Sequence, residues 1–143
     1  MFGFARNILQ LVGRILIAAV FIYDGFVLIH NGPQAGFTYV ERYGLPGPTW
    51  WLALALELGG GGLIVLGFVT RLVALIFFVF CMMTAFFFHN TFSVATAVDF
   101  TKAGTAIDFG KDIALAGGWL FLVANGAGRF SVDALLKRSY TGV

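Results

Sequence analysis

The chain has 143 residues, 59% of them hydrophobic and 11% charged, with a formal net charge of +2 and a mean hydropathy of +0.91. A soluble domain carries about 25% charged residues, so this composition belongs to an integral membrane protein. The charge is too small and too scattered for nucleic-acid binding, and the length predicts a single bundle without a second, soluble domain.

Met1 to Gln10 form a short amphipathic start containing Arg6. The first long apolar run predicts a span over about 8–29, interrupted by Arg14 and Asp24. No small-residue cleavage site follows it and an acid lies near its end, which favours an uncleaved span over a signal peptide. His30, Asn31, Gly32 and Pro33 predict a break. An interfacial segment follows over 34–44, with a brief helix from Phe37 to Tyr43 ended by the Gly44-Leu45-Pro46 turn.

The second span, about 50–69, opens on Trp50 and Trp51, residues suited to an aromatic belt, and Arg71 follows it within reach of water. Glu57 lies roughly 10 Å along from Trp50 at a helical rise of about 1.5 Å per residue. An ionisable group at that depth costs about 2.5 kcal/mol or more unless it faces the bundle interior, finds a partner or stays protonated. Gly59 to Gly62 follow immediately and remove side-chain bulk, so that a neighbouring backbone can approach closely. Only Val69, Thr70 and Arg71 separate this run from a third span over 72–89, which predicts a tight antiparallel hairpin. That span ends on Phe86, Phe87, Phe88 and His89. The lone Cys81 reads as a small buried hydrophobe.

Residues 91–110 predict a surface segment built on a short repeat: Thr96 to Lys102 recurs nine residues later as Thr105 to Lys111. Phenylalanines dipping into the membrane with charges facing water suit that pattern, and a ligand-gating lid is the alternative. The fourth span is predicted over 111–127, with Gly117 and Gly118 as a packing surface, and 131–143 as a surface helix. Arg6, Arg14, Arg71, Arg129, Lys137 and Arg138 fall on one side of this drawing, and Arg42, Lys102 and Lys111 on the other, which puts both termini in the cytoplasm. The predicted fold class is all-α, an integral membrane four-helix bundle.

In that topology Asp24, Glu57, His89, Lys111 and Asp112 collect in the outer third of the bundle, rimmed by His30 and Asn90. Arg14 and Arg71 remain on the cytoplasmic half, near enough to the interface to snorkel. One reading is polar glue between helices, with Lys111 paired to Glu57 and His89 to Asp24. Another is a pocket for a quinone head or a similar small polar-headed molecule. In it Glu57 and His89 are the catalytic, proton-handling pair, and Asp24, Lys111, Asp112 and Arg14 bind the cofactor or balance its charge. A third takes His30 and His89 as axial ligands of a haem. No metal-ligand cluster, Walker loop, dinucleotide fingerprint or base-activated nucleophile occurs, so no metal site and no covalently bound cofactor is predicted. Without a redox centre of its own, such a chain would draw electrons through a bound quinone or a partner protein.

The chain also resembles the DoxX-like membrane proteins over roughly residues 10 to 135. The matching features are Gly13-Arg14, Tyr43-Gly44-Leu45-Pro46, Glu57-Leu58-Gly59-Gly60 and Gly67-Phe68-Val69-Thr70-Arg71. They continue with His89, the run from Lys111 to Gly118, and the closing run from Gly126 to Asp133. Asp112 stands where that family commonly has asparagine, and Asp24 in a stretch that is often small or lysine-rich. The resemblance implies a four-helix bundle in the bacterial inner (plasma) membrane. It also implies a role as the membrane subunit of a quinone-linked oxidoreductase, partnered by the lipid bilayer and by other subunits of a respiratory or oxidoreductase complex. The alternative it implies is a non-catalytic accessory or assembly subunit that stabilises a larger membrane complex.

Overall fold

The structure, a computed structural model, describes residues 2–89 and 100–141, and every regular element among them is helical. Asn90 and the first copy of the repeat up to Asp99 lie outside the described residues. Helix α1 (Phe2–Glu41) runs through the first apolar stretch and the predicted break alike. Gly32 leaves helical geometry there, with φ 76° and ψ 164°, and Pro33 cannot donate a backbone hydrogen bond, so the helix kinks. The brief helix predicted from Phe37 is therefore the last stretch of α1, redirected by the kink. Gly44, at φ 77°, ends the turn that follows.

The second rod, Thr49–Leu66, consists of α2 (Thr49–Ala55), a wide π-helical turn at Leu56–Gly60, and α3 (Gly61–Leu66). It stops at Gly67, whose φ of 70° is left-handed. The Phe68 N–H reaches back to the Leu63 carbonyl at 3.0 Å and the Gly67 N–H to that of Ile64 at 3.1 Å, a glycine-closed helix end. Val69 then adopts φ 48° and ψ 38°, an unfavourable conformation for a β-branched residue, and α4 (Thr70–Phe87) begins at once. This is the tight hairpin expected from the short separation of two apolar runs.

Helix α5 (Phe100–Asn125) starts well before the predicted span of 111–127. The second copy of the repeat is thus helical, where a surface segment was predicted. Nothing between Phe100 and Asn125 breaks the pattern, and Lys111 pairs with Asp108 one turn back at 2.6 Å, as helical neighbours do. The chain closes on α6 (Val132–Thr141).

Among the described residues three helical rods are long and apolar enough to cross a membrane: Gly3–Glu41, Thr49–Leu66 and Thr70–Phe87. The fourth rod, α5, packs along α4, and its charged first half, with Asp108, Lys111 and Asp112, keeps its apolar part short. Phe77 of α4 and Trp119 of α5 stack at 4.4 Å and 8°, and Phe21 of α1 leans on both at 4.7 and 5.4 Å. A Cβ on Gly61 would come within 2.6 Å of Ile22, and one on Gly60 within 3.0 Å of Phe77. Those two glycines supply the close approach predicted for the run, whereas Gly59 and Gly62 face open space.

The end of the bundle that carries both termini is tied by two charged groups. Arg14, expected to reach the interface, is instead 1% exposed. Its guanidinium donates to the carbonyls of Ala127, of Val65 at 3.1 Å and of Phe130 at 2.8 Å. Helix ends leave carbonyls without intrahelical partners, and a guanidinium offers five donors that favour such an end electrostatically. Asp133 of α6 accepts from the Val69 N–H at 2.7 Å and the Thr70 N–H at 3.0 Å, capping α4 from across the fold. Burial raises the Asp133 carboxyl, but the hydrogen bonds from Thr70 and Val69 together with nearby Lys137 outweigh it, and its pKa lies below the usual value.

Two predictions follow from these ties. Asp133→Asn keeps one acceptor oxygen but loses the charge and the second acceptor, and should lower stability by about 0.5–1 kcal/mol near neutral pH. Because the folded pKa is depressed, the wild-type advantage is complete above the ordinary carboxylate pKa of about 4 and fades as pH falls through the folded value. Thermal unfolding in detergent checks this, and a gap that stays constant down to about pH 2 contradicts it. Arg14→Lys keeps the charge but loses the planar fork, and should cost about 2–3 kcal/mol in the same measurement.

Candidate functional site

At the kinked end of the bundle, all four rods contribute to one cavity of about 320 Å³. Phe21, Asp24, Val27 and Leu28 come from α1, and Tyr39 and Val40 from its stretch beyond the kink. Trp50, Ala53 and Glu57 come from the second rod, Phe80, Thr84, Phe88 and His89 from α4 and the residues after it, and Asp112 and Leu115 from α5.

Glu57 reaches this space from the π-helical turn, a rare winding that recurs at functional sites. It is 8% exposed, and its Oε2 makes no hydrogen bond in the structure. Gly25 of α1 makes this arrangement possible, because a Cβ there would lie 2.7 Å from Leu58 and 3.3 Å from Glu57. Trp50 is turned inward, 3% exposed, with its indole Nε1 likewise unpartnered. Gly36 makes the room for it, since a Cβ at that position would sit 2.2 Å from the indole ring. The kink that redirects the end of α1 also lays Tyr39 flat on Phe88, 5.5 Å between centroids and 8° between planes.

His89 Nδ1 lies 2.9 Å from Asp112 Oδ2, so the two can share a proton at that nitrogen. The pairings expected from the sequence, Lys111 with Glu57 and His89 with Asp24, are replaced by Lys111 with Asp108 and His89 with Asp112. The reason is helix phase: successive residues point about 100° apart, so when Asp112 turns inward Lys111 turns outward. Asp24 lines the cavity although much of it is exposed. Of the six residues singled out, Glu57, His89, Asp24 and Asp112 line one space. Lys111 is exposed beside it, and Arg14 belongs to the opposite end. His30 is exposed on α1 and does not line the cavity, so it is not brought together with His89 there.

Sequence reading took Trp50 only as a belt residue and did not find Tyr39, Phe80 or Phe88 as walls. The available signal was Gly36, a small residue just past the kink, which leaves space for a large ring. A larger and more open groove of about 610 Å³ lies at the terminus end, between the start of α4, the end of α5 and α6. Two of its charged groups are already engaged at helix ends: Asp133 caps α4, and Arg71 donates to the Ala124 carbonyl at 3.3 Å. Groups of three or more possible metal ligands do not occur among the described residues.

A chain whose described residues fold only into helices, several of them apolar rods of membrane length around a cavity that a few polar groups enter, is a multi-pass membrane protein. Its family is shown by comparison: the DoxX family model matches residues 9–90. The chain is 36% identical over 130 residues to the inner membrane protein YqjF of Escherichia coli (strain K12), covering 91% of this chain and 93% of that protein. It is 33% identical over 134 residues to the inner membrane protein YphA of the same organism, covering 92% and 93%. No solved structure matches. The protein therefore belongs to the DoxX family and, like these relatives, is an inner-membrane protein.

Gly36→Ala tests the cavity wall directly. Its Cβ must displace the Trp50 indole, so the variant should lose about 1–3 kcal/mol of stability and its tryptophan emission should shift to the red. Unchanged emission and an unchanged melting midpoint would show that the indole does not sit against Gly36.

Proposed function

We propose that the protein is the membrane subunit of a quinone-linked electron-transfer system and that the cavity at the kinked end receives the quinone head. The observation that carries this reading is the convergence of Glu57, Trp50 and the His89–Asp112 pair on one aromatic-walled space. A volume of about 320 Å³ lies in the range of small-molecule pockets, which are mostly apolar with a few polar groups that fix orientation. Trp50, whose N–H has no partner, and Phe21, Phe80 and Phe88 are among the aromatic walls of this space.

A bound quinone supplies two-electron, two-proton redox chemistry. The residues of this chain hold protons and orient the head: Glu57 at Oε2, His89 at Nδ1 against Asp112, and Asp24 at the exposed margin. Lys111 sets the charge outside that margin. Arg14 acts at a distance, by holding the rods together at the other end. Electrons come from a partner subunit of a respiratory or oxidoreductase complex. The basic residues at the terminus end support an orientation with both termini in the cytoplasm and the cavity toward the outer leaflet.

A second reading, a non-catalytic accessory subunit, is favoured by Gly59, Gly62 and Gly117, which face open space on the helix surfaces and suit close packing of another helix. Extraction of the detergent-purified protein with organic solvent separates the two. The quinone reading expects about one equivalent of quinone per chain, and an affinity that falls roughly tenfold in Glu57→Gln and in His89→Ala, a loss equivalent to about 1.4 kcal/mol. Quinone-free protein, or a co-purified complex whose activity is unaffected by both substitutions, favours the accessory role and rejects the site.

A further inference from the structure

We propose that the same cavity binds small lipophilic organic cations, an aromatic ring carrying an ammonium head, with Glu57 and Asp24 as counter-ions. This rests on the cavity being a ligand site, and not on the ligand being a quinone. The lining is acidic: Asp24, Glu57 and Asp112 are joined there by His89, and no arginine or lysine is among the lining residues. Asp112 is engaged by His89 and the neighbouring Lys111 by Asp108, which leaves Asp24 and Glu57 to face the space.

Glu57 lines the cavity, is more than nine-tenths buried and has no donor to its Oε2, so an acidic side chain sits against an apolar volume with one carboxyl oxygen unpaired. Trp50 and Phe88 line the same volume, and aromatic faces, tryptophan best of all, attract ammonium groups most strongly where water is excluded. Acceptors and π-faces thus outnumber donors. That combination favours a cation over a neutral molecule of the same shape, because a bound ammonium stabilises the ionised form of the carboxyl groups around it, and it disfavours an anion, which those groups would repel in a medium of low dielectric.

The test uses the full chain in detergent micelles, freed of extractable small molecules by detergent exchange. Equilibrium dialysis against protein-free micelles measures three probes: benzyltrimethylammonium, benzyl alcohol and benzenesulfonate. The expected result is saturable binding of the cation at least about tenfold tighter than of the alcohol, with no saturable binding of the sulfonate. Glu57→Gln should bring the preference for the cation over the alcohol close to one, and Asp24→Asn should reduce it. Melting curves establish that both variants are folded.

Equal affinity for cation and alcohol, a preference that survives both substitutions, or no saturable binding of any probe overturns the proposal. Quinone extraction from the same protein before the detergent exchange keeps the two ideas apart. Quinone without a cation preference removes this inference alone, a cation preference without quinone removes the quinone reading alone, and the absence of both removes both.

Discussion

A carboxyl group buried in an apolar bundle is the constraint around which the rest of the structure is arranged. Ionisable side chains inside a membrane are expensive unless they share a space or a partner, and Glu57 is carried on the one turn of its rod that is wound wide. The glycines around it follow from that. Gly25 lets α1 close over the turn, Gly60 and Gly61 admit Phe77 and Ile22 beneath it, and Gly36 admits the Trp50 indole above it. Side-chain bulk at any of the four would collide with the group now packed against it.

The two ends of the bundle divide the charged work. At the terminus end, charge closes helix ends: the Arg14 guanidinium gathers carbonyls from the last turn of α3 and from the turn after α5, while Asp133 serves the first N–H groups of α4. Both of these charged groups bond to backbone. At the kinked end, side chains face one another and a cavity: His89 meets Asp112, and Glu57 Oε2 meets no hydrogen-bond donor.

The family match covers residues 9–90, which reaches from α1 to His89 and so spans three of the four rods. The remaining rod, α5, supplies Asp112 to the cavity and Trp119 to the core stack. Both E. coli relatives align over more than nine-tenths of this chain, so the likeness extends along the fourth rod as well. The cavity is therefore a property of the whole bundle: one hairpin carries Glu57 and His89, whereas Asp24 and Asp112 come from the first and fourth rods.

Much of this architecture is legible in the residues alone. Apolar runs of membrane length, the break at Gly32-Pro33, the short hairpin at Val69 to Arg71 and the common depth of Asp24, Glu57, His89 and Asp112 follow from composition, rise per residue and the chemistry of glycine and proline. These are local properties, and local sequence specifies them. Tertiary packing alone decided which polar group meets which, because partners depend on the rotation of each helix about its own axis: Asp112 faces inward and Lys111 outward although they are adjacent. It also decided that Arg14 is buried, since the carbonyls it holds come from the ends of other helices, and that Trp50 turns inward, since the space it fills exists only once the kinked end of α1 has folded back over it. Depth along a helix is written in the chain, whereas direction around the helix is set by what packs against it.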